Sequence, residues 1–200
     1  HVLIPRPETE QLCQRLISLS NQPYCALQPP APRHGLDIGT GSGCIAITLS
    51  LNMANTVVTA YDISSDALLI ARDNAIRLGA AVNFQLKDAL QLAATEETFD
   101  IIVSNPPYIC DSERTEMMQN VLDHEPPTAL FVPDDDPLRF YRAIAEYGTT
   151  ALSHGGELYF EINDRFADEV SAMLNALGYA GTEVRTDQFG KQRFVKTMRA

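Results

Sequence analysis

Between Phe99 and Ile109 the chain reads FDIIVSNPPYI, an order of residues that few folds accommodate. Ile101, Ile102 and Val103 form a continuous β-branched run, which suits a strand buried on both faces of a parallel sheet. Ser104, Asn105, Pro106, Pro107 and Tyr108 follow at once. Consecutive prolines have no N–H for a ladder and hold the preceding residues extended, so the strand must stop. A stiff polar-aromatic loop is therefore expected at the C-terminal end of a buried strand, the edge where open α/β sheets bind ligands.

The atoms of that loop suggest a chemistry. Asn105 offers a side-chain carbonyl, Pro106 a backbone carbonyl and Tyr108 a flat stacking face. Two convergent acceptors can hold both hydrogens of a planar –NH2 group. An amide or aromatic amine is a poor nucleophile because its lone pair is delocalised, and holding its hydrogens aims that lone pair at an electrophile. A plain Pro-Pro turn has the same composition, so the rest of the chain has to decide.

From His34 the pattern is β-α-β. Gly35 to Ile38 is a short strand containing Asp37, and the loop Gly39-Thr40-Gly41-Ser42-Gly43 leads into a helix from Cys44 to about Met53. A second strand, Val57 to Tyr61, ends at Asp62 and Ile63. Alternating glycines permit positive φ and let a ligand approach the backbone, and the helix start adds free N–H donors. Asp62, at the end of the second strand, is where a carboxylate takes both hydroxyls of a ribose. The spacing is GxGxG, not the GxGxxG of dinucleotide sites. Asp37 adds negative charge that is awkward for a pyrophosphate and suited to a cationic, amine-bearing ligand. S-adenosylmethionine is therefore the expected cofactor, ahead of NAD.

The chain has 200 residues, 45% of them hydrophobic and 20% charged, which fits one sizeable globular domain. No apolar run approaches the length of a membrane span. Cys13, Cys25, Cys44 and Cys110 lack metal-ligand spacing, so no metal is expected and the thiols read as reduced filler in a cytoplasmic protein. A net charge of −11 argues against an extended phosphate-binding face.

The remaining elements are read in order. Pro7 and two acids open an amphipathic helix from Glu8 to Ser20, and a proline-rich linker covers Asn21 to Arg33. Residues 1–33 form an N-terminal segment of loop, helix and linker, and residues 34–200 the catalytic domain. Ser64-Ser65-Asp66 cap a helix ending at Gly79. Val82 to Leu86 is a third strand, with Asp88 and Ala89 beyond it; Asp88 can accept from an adenine amino group or cap a turn. A short helix is expected over Ser112–Leu122 and a longer one over Leu138–Leu152. Gly155-Gly156 should turn into a strand from Glu157 to Ile162. A last helix covers Phe166–Leu177, and two strands lie near Gly181–Thr186 and Arg193–Thr197.

LDIGTGSG, YDIS and NPPY, in this order, resemble a Rossmann-like class I S-adenosylmethionine-dependent methyltransferase. LIPRPETE at Leu3–Glu10 together with NPPYI resembles the HemK/PrmC family of protein-(glutamine-N5) methyltransferases, as do HEPPTALF, FYRAI and GELYFEI. The resemblance implies an α/β fold with a seven-stranded, mostly parallel sheet in the order 3-2-1-4-5-7-6 and helices on both faces. It implies methylation of the glutamine in the Gly-Gly-Gln loop of peptide chain release factors, with no direct nucleic-acid or membrane partner. It assigns Asp37, Gly39, Thr40, Gly41, Gly43, Asp62, Ile63, Asp88, Ala89 and Asn105 to the cofactor. Asn105, Pro106, Pro107 and Tyr108, with Arg6 and Glu8 of the signature loop, are assigned to the substrate. Asn105, Pro106 and Tyr108 would carry the reaction.

Three departures stand out. The family usually begins with a small helical domain, and no stretch of these 200 residues is expected to form it. Val132-Pro133-Asp134-Asp135-Asp136 replaces a glycine-rich stretch, and Asn163 stands where Glu-Ile-Gly is frequent. Among other readings, an N6-adenine methyltransferase would use the same NPPY chemistry but must hold a phosphate backbone, which the acidic charge disfavours. A cofactor-binding module without catalysis has no need of the intact NPPY loop. An NAD-dependent dehydrogenase lacks an evident hydride-transfer constellation.

Overall fold

The computed structural model describes residues 2–20, 31–116 and 125–200. Among these, the strands are β1 (Arg33–Ile38), β2 (Thr56–Asp62), β3 (Val82–Leu86), β4 (Phe99–Ser104), β5 (Ile109–Cys110), β6 (Phe131–Val132), β7 (Leu152–Glu161), β8 (Tyr179–Thr186) and β9 (Gln192–Arg199). The α-helices are α1 (Pro7–Ser20), α2 (Cys44–Asn52), α3 (Ser65–Leu78), α4 (Arg139–Ala151) and α5 (Ala167–Ala176).

The main sheet runs β3-β2-β1-β4-β7-β9-β8. Counted along this sheet alone, that is third-second-first-fourth-fifth-seventh-sixth, the order the resemblance implied. β3, β2, β1, β4 and β7 pair in parallel, while β9 enters antiparallel between β7 and β8. β5 and β6 form a separate parallel pair that the sequence reading did not anticipate.

Period-two alternation divides the core between the two faces. Leu36, Ile38, Ile102, Leu158 and Phe160 meet α4 and α5 through Tyr141, Ile144, Val170 and Leu174. Val58, Ala60, Ile101, Val103 and Tyr159 meet α1 and α2 through Leu12, Leu16, Ile45 and Leu49. Ile101, Ile102 and Val103 are each at most 1% exposed, so β4 is buried on both faces as its composition requires.

Local signals set the helix ends. Ser64 Oγ accepts from the Ala67 N–H at 3.2 Å, and Gly79 takes φ 71° at the other end of α3. Glu8 and Glu10 lie in the first turn of α1, where acids favour the helix dipole. The turn expected at Gly155-Gly156 shows as a break in the β4–β7 register, which passes from Phe99↔Leu152 to Ile101↔Glu157. The helix expected over Ser112–Leu122 is a 3-10 segment at Asp111–Glu116, and its later residues lie outside the described ones. Most of the linker, residues 21–30, also lies outside them.

Candidate active site

The glycine loop leaves β1 at the C-terminal edge of the sheet. Gly39, Gly41 and Gly43 all have positive φ, at 77°, 55° and 82°. A Cβ added at Gly39 or Gly41 would meet nothing within 4 Å, so these two face open space. Gly43 differs: a Cβ there would lie 3.0 Å from Ile47 Cδ1 and 3.1 Å from Ala71 Cβ. Its smallness lets α2 and α3 close behind the loop, a packing role that the spacing alone does not distinguish from ligand contact. The Gly39 and Thr40 N–H groups both donate to the Tyr61 carbonyl, at 2.9 and 3.0 Å, which ties the loop to β2.

Two carboxylates shape this loop. Asp62 Oδ2 accepts from the Gly41 N–H at 2.8 Å and Oδ1 from the Ser64 N–H at 2.9 Å, so Asp62 braces the glycines and also starts α3. Asp37 is fully buried and accepts through Oδ2 from Thr40 Oγ1 (2.6 Å) and the Ala46 N–H (3.1 Å). Its Oδ1 is a buried acceptor without a partner among the described residues. Burial raises Asp37 to about 7, and the Asp62 charge adds to the rise against the opposing hydrogen bonds from Thr40 and Ala46. Ile63, 65% exposed beside Asp62, offers an apolar surface at this edge. Asp88 caps the 3-10 turn Ala89–Gln91, accepting from the Leu90 N–H at 2.9 Å and Gln91 Nε2 at 2.8 Å. The turn-capping alternative for Asp88 is thus realised, and any contact to an adenine must share those oxygens.

At the end of β4, Asn105 Nδ2 donates to Thr9 Oγ1 at 3.2 Å, and Thr9 Oγ1 donates to Glu161 Oε2 at 2.7 Å. Tyr108 OH donates to Glu161 Oε1 at 3.1 Å. Thr9 and Glu161 are both buried. Burial raises the Glu161 pKa above the ordinary carboxylate range, against the lowering by Thr9, Tyr108 and Arg193. Among the described residues, neither Asn105 Oδ1 nor the Pro106 carbonyl accepts a hydrogen bond. The loop therefore keeps two carbonyl acceptors uncommitted while the other end of the Asn105 amide is anchored.

The signature loop divides its labour. Arg6 donates to Glu125 Oε1 at 2.6 Å, with the Glu125 side chain 2% exposed, which fastens the loop to the segment after β5. Glu8 is half-buried, and its charge adds to the rise of both Glu161 and Tyr108. Thr9 and Glu161 were missed as site residues. A glutamate ending the apolar run Leu158–Phe160 was the available signal, since a buried carboxylate requires donors. Both departures on the substrate side grip one segment. Asn163 Nδ2 donates to the Tyr108 carbonyl and to Glu113 Oε1, each at 3.1 Å, and Asp134 Oδ1 accepts from the Ser112 N–H at 3.1 Å and Ser112 Oγ at 2.5 Å.

The sheet order, the glycine loop braced by a carboxylate and the NPPY loop on the same edge define a class I S-adenosylmethionine-dependent methyltransferase. The methyltransferase small domain family matches residues 24–131. A release factor glutamine methyltransferase of Bacteroides thetaiotaomicron is 48% identical over 199 residues, covering 99% of this chain and 68% of that protein. One from Flavobacterium psychrophilum is 44% identical, covering 98% of this chain and 67% of that protein. The crystal structure of a release factor-specific protein-(glutamine-N5) methyltransferase from Alicyclobacillus acidocaldarius superposes with a TM-score of 0.59 at 27% identity, covering 98% of this chain and 94% of that one. The chain belongs to the release factor glutamine methyltransferases.

The cofactor of this family is S-adenosyl-L-methionine, and the residues present fit it. Open Cβ directions at Gly39 and Gly41 leave room for a ligand against the backbone. The unpartnered Oδ1 of Asp37 and the nearby Asp62 charge suit a molecule carrying a sulfonium and an ammonium.

Proposed function

We propose that this chain methylates the side-chain amide nitrogen of the Gly-Gly-Gln glutamine in a peptide chain release factor, with Asn105, Pro106 and Tyr108 carrying the reaction. The observation that carries this reading is a pair of carbonyls uncommitted among the described residues, Asn105 Oδ1 and Pro106 O, at the end of β4 beside the glycine loop. They match the two hydrogens of a primary amide. Pro107 stiffens the loop, and the tether of Tyr108 to Glu161 supports its role in lining the substrate pocket. Gly39, Thr40, Gly41, Asp62, Ile63, Asp88 and Ala89 form the cofactor side, with Gly43 closing the helices behind it.

When bound, S-adenosylmethionine supplies a methyl group on a sulfonium, an electrophile with a neutral leaving group. The two acceptors orient the amide and favour a pyramidal nitrogen. The amide proton becomes acidic once the nitrogen is alkylated, so it passes to solvent and no side chain has to remove it before attack. Arg6 acts through Glu125, and Glu8 adds negative charge beside the pocket. The net charge of −11 supports a protein substrate over a nucleic acid. Among the described residues no helix is long and apolar enough to cross a membrane. A cytoplasmic setting belongs to the same reading, and the free thiols of Cys13, Cys44 and Cys110 support it.

The test is incubation with labelled S-adenosylmethionine and a purified release factor, followed by mapping of the labelled residue. Label on the glutamine of the Gly-Gly-Gln loop is expected. Label on an adenine-containing oligonucleotide, with none on protein, would overturn the assignment.

A further inference from the structure

A side-chain amide has two ends of opposite polarity and similar shape, so a loop that grips –NH2 through Asn105 must fix which end faces the substrate. Reversal would present a second –NH2 to the substrate, donor against donor. Shape alone does not distinguish the two orientations; among the described residues, the hydrogen bond of the Asn105 side chain to Thr9 does.

That partner is Thr9, whose hydroxyl has one proton and lone pairs. An ionised Glu161 only accepts, so at 2.7 Å the Thr9 proton is committed to Glu161 Oε2. Thr9 then has only lone pairs for Asn105 at 3.2 Å, and the –NH2 end must turn toward it. Tyr108 occupies the other Glu161 oxygen, so the carboxylate has a donor on each side. We propose that Thr9 is a positioning residue: held by Glu161, it sets the direction of the Asn105 amide so that Oδ1 faces the substrate. This rests on the reading of Asn105 as the grip on the glutamine amide. It also gives a physical reason for three separate stretches, RPETE, NPPY and the end of β7, to occur together, since each supplies one member of the chain Thr9, Asn105 and Glu161.

The direction depends on Glu161 being ionised. A protonated Glu161 can donate to Thr9, which then donates onward and favours the reversed amide. Glu161 is faced by Glu8 and Cys13 from α1, Cys44 from α2, Tyr108 from the loop after β4, Tyr141 from α4 and Arg193 from β9. Burial raises its pKa above the ordinary carboxylate range, which moves the reversal toward working pH.

The experiment is single-turnover methyl transfer from labelled S-adenosylmethionine to saturating purified release factor, across pH, for the wild type, Thr9→Ser, Thr9→Val and Asn105→Ala. Thr9→Val keeps the side-chain shape, so its rate should fall about 10–100-fold, the scale of a mis-set reacting group, with cofactor affinity within about threefold. Thr9→Ser should stay within about threefold of the wild type. With every form saturated with S-adenosylmethionine at each pH, the wild-type rate should drop on the acid side as Glu161 protonates, and this limb should be missing in Thr9→Val, a change that a merely structural role would not produce. A Thr9→Val enzyme with wild-type rate, with an unchanged acid limb, or with lost cofactor binding overturns the proposal. If Asn105→Ala is slow while Thr9→Val is not, the relay alone fails; if Asn105→Ala runs at the wild-type rate, the grip itself is wrong.

Discussion

At the scale of single residues, function rests on which atoms are left uncommitted. Asn105 has its –NH2 bonded to Thr9, while its carbonyl and that of Pro106 accept nothing among the described residues. Asn105→Ala removes one acceptor and leaves Asp37, Asp62 and the glycines untouched. The methyl-transfer rate should then fall about 10²–10³-fold, comparable to losing one preorganised contact to a transition state. Cofactor affinity should hold within about threefold, a split that single-turnover kinetics and calorimetry together resolve. Gly43 gives a contrasting case within the same loop. At φ 82°, with Ile47 Cδ1 3.0 Å and Ala71 Cβ 3.1 Å from a built Cβ, Gly43→Ala combines backbone strain with overpacking. The variant should lose about 2–4 kcal/mol in denaturant unfolding, whereas the same change at Gly41, φ 55°, carries backbone strain without overpacking and should show its larger effect on cofactor binding.

At the scale of elements, the sequence is most legible where one physical rule acts alone. The β-branched run of β4, the Ser64 cap and the Gly79 stop each announce themselves, and the structure places them where the residues imply. Elements fixed by tertiary pairing do not. β5 and β6 hold two residues each, and their pairing of Ile109 with Phe131 leaves no local pattern to read. The 3-10 segment at Asp111–Glu116 is held by distant side chains, Asn163 and Asp134, which local propensity cannot see. The site divides in the same way: the glycines, Asp62 and Asn105 lie in recognisable motifs, while Thr9 and Glu161 join them only through folding. Asn163 yields a test at this scale. Replacing it by glycine, which the family resemblance leads one to expect at this place, frees the Tyr108 carbonyl and Glu113 from the turn after β7. The release-factor KM should rise about 3–10-fold as the substrate side loosens, roughly the net worth of one ordinary hydrogen bond. Cofactor affinity should be unchanged, and an unaltered KM would separate Asn163 from substrate binding.

At the scale of the whole molecule, a buried acid couples the cofactor site to the stability of the fold. Asp37 sits at the centre of the sheet, fully buried, and desolvation raises it from 3.8 to about 7. A carboxyl raised on folding favours the native state while protonated. Its contribution is fully present below about pH 4 and is lost as pH rises through about 7. The whole effect is about 4 kcal/mol, a large part of the stability of a single domain. Asp37→Asn has no such dependence, so its stability relative to the wild type should climb between about pH 4 and pH 7 and level off above. A cation beside Asp37 reverses the preference, because it favours the ionised form. Stabilisation by S-adenosylmethionine should therefore grow with pH in the wild type and stay flat in Asp37→Asn. S-adenosylhomocysteine, which lacks the sulfonium charge, should show a weaker rise. Thermal melts of both proteins from pH 5 to pH 8, with and without each ligand, check all three expectations. A wild-type-to-variant gap that does not change with pH would mean that Asp37 keeps an ordinary carboxylate pKa and does not couple the cofactor site to stability.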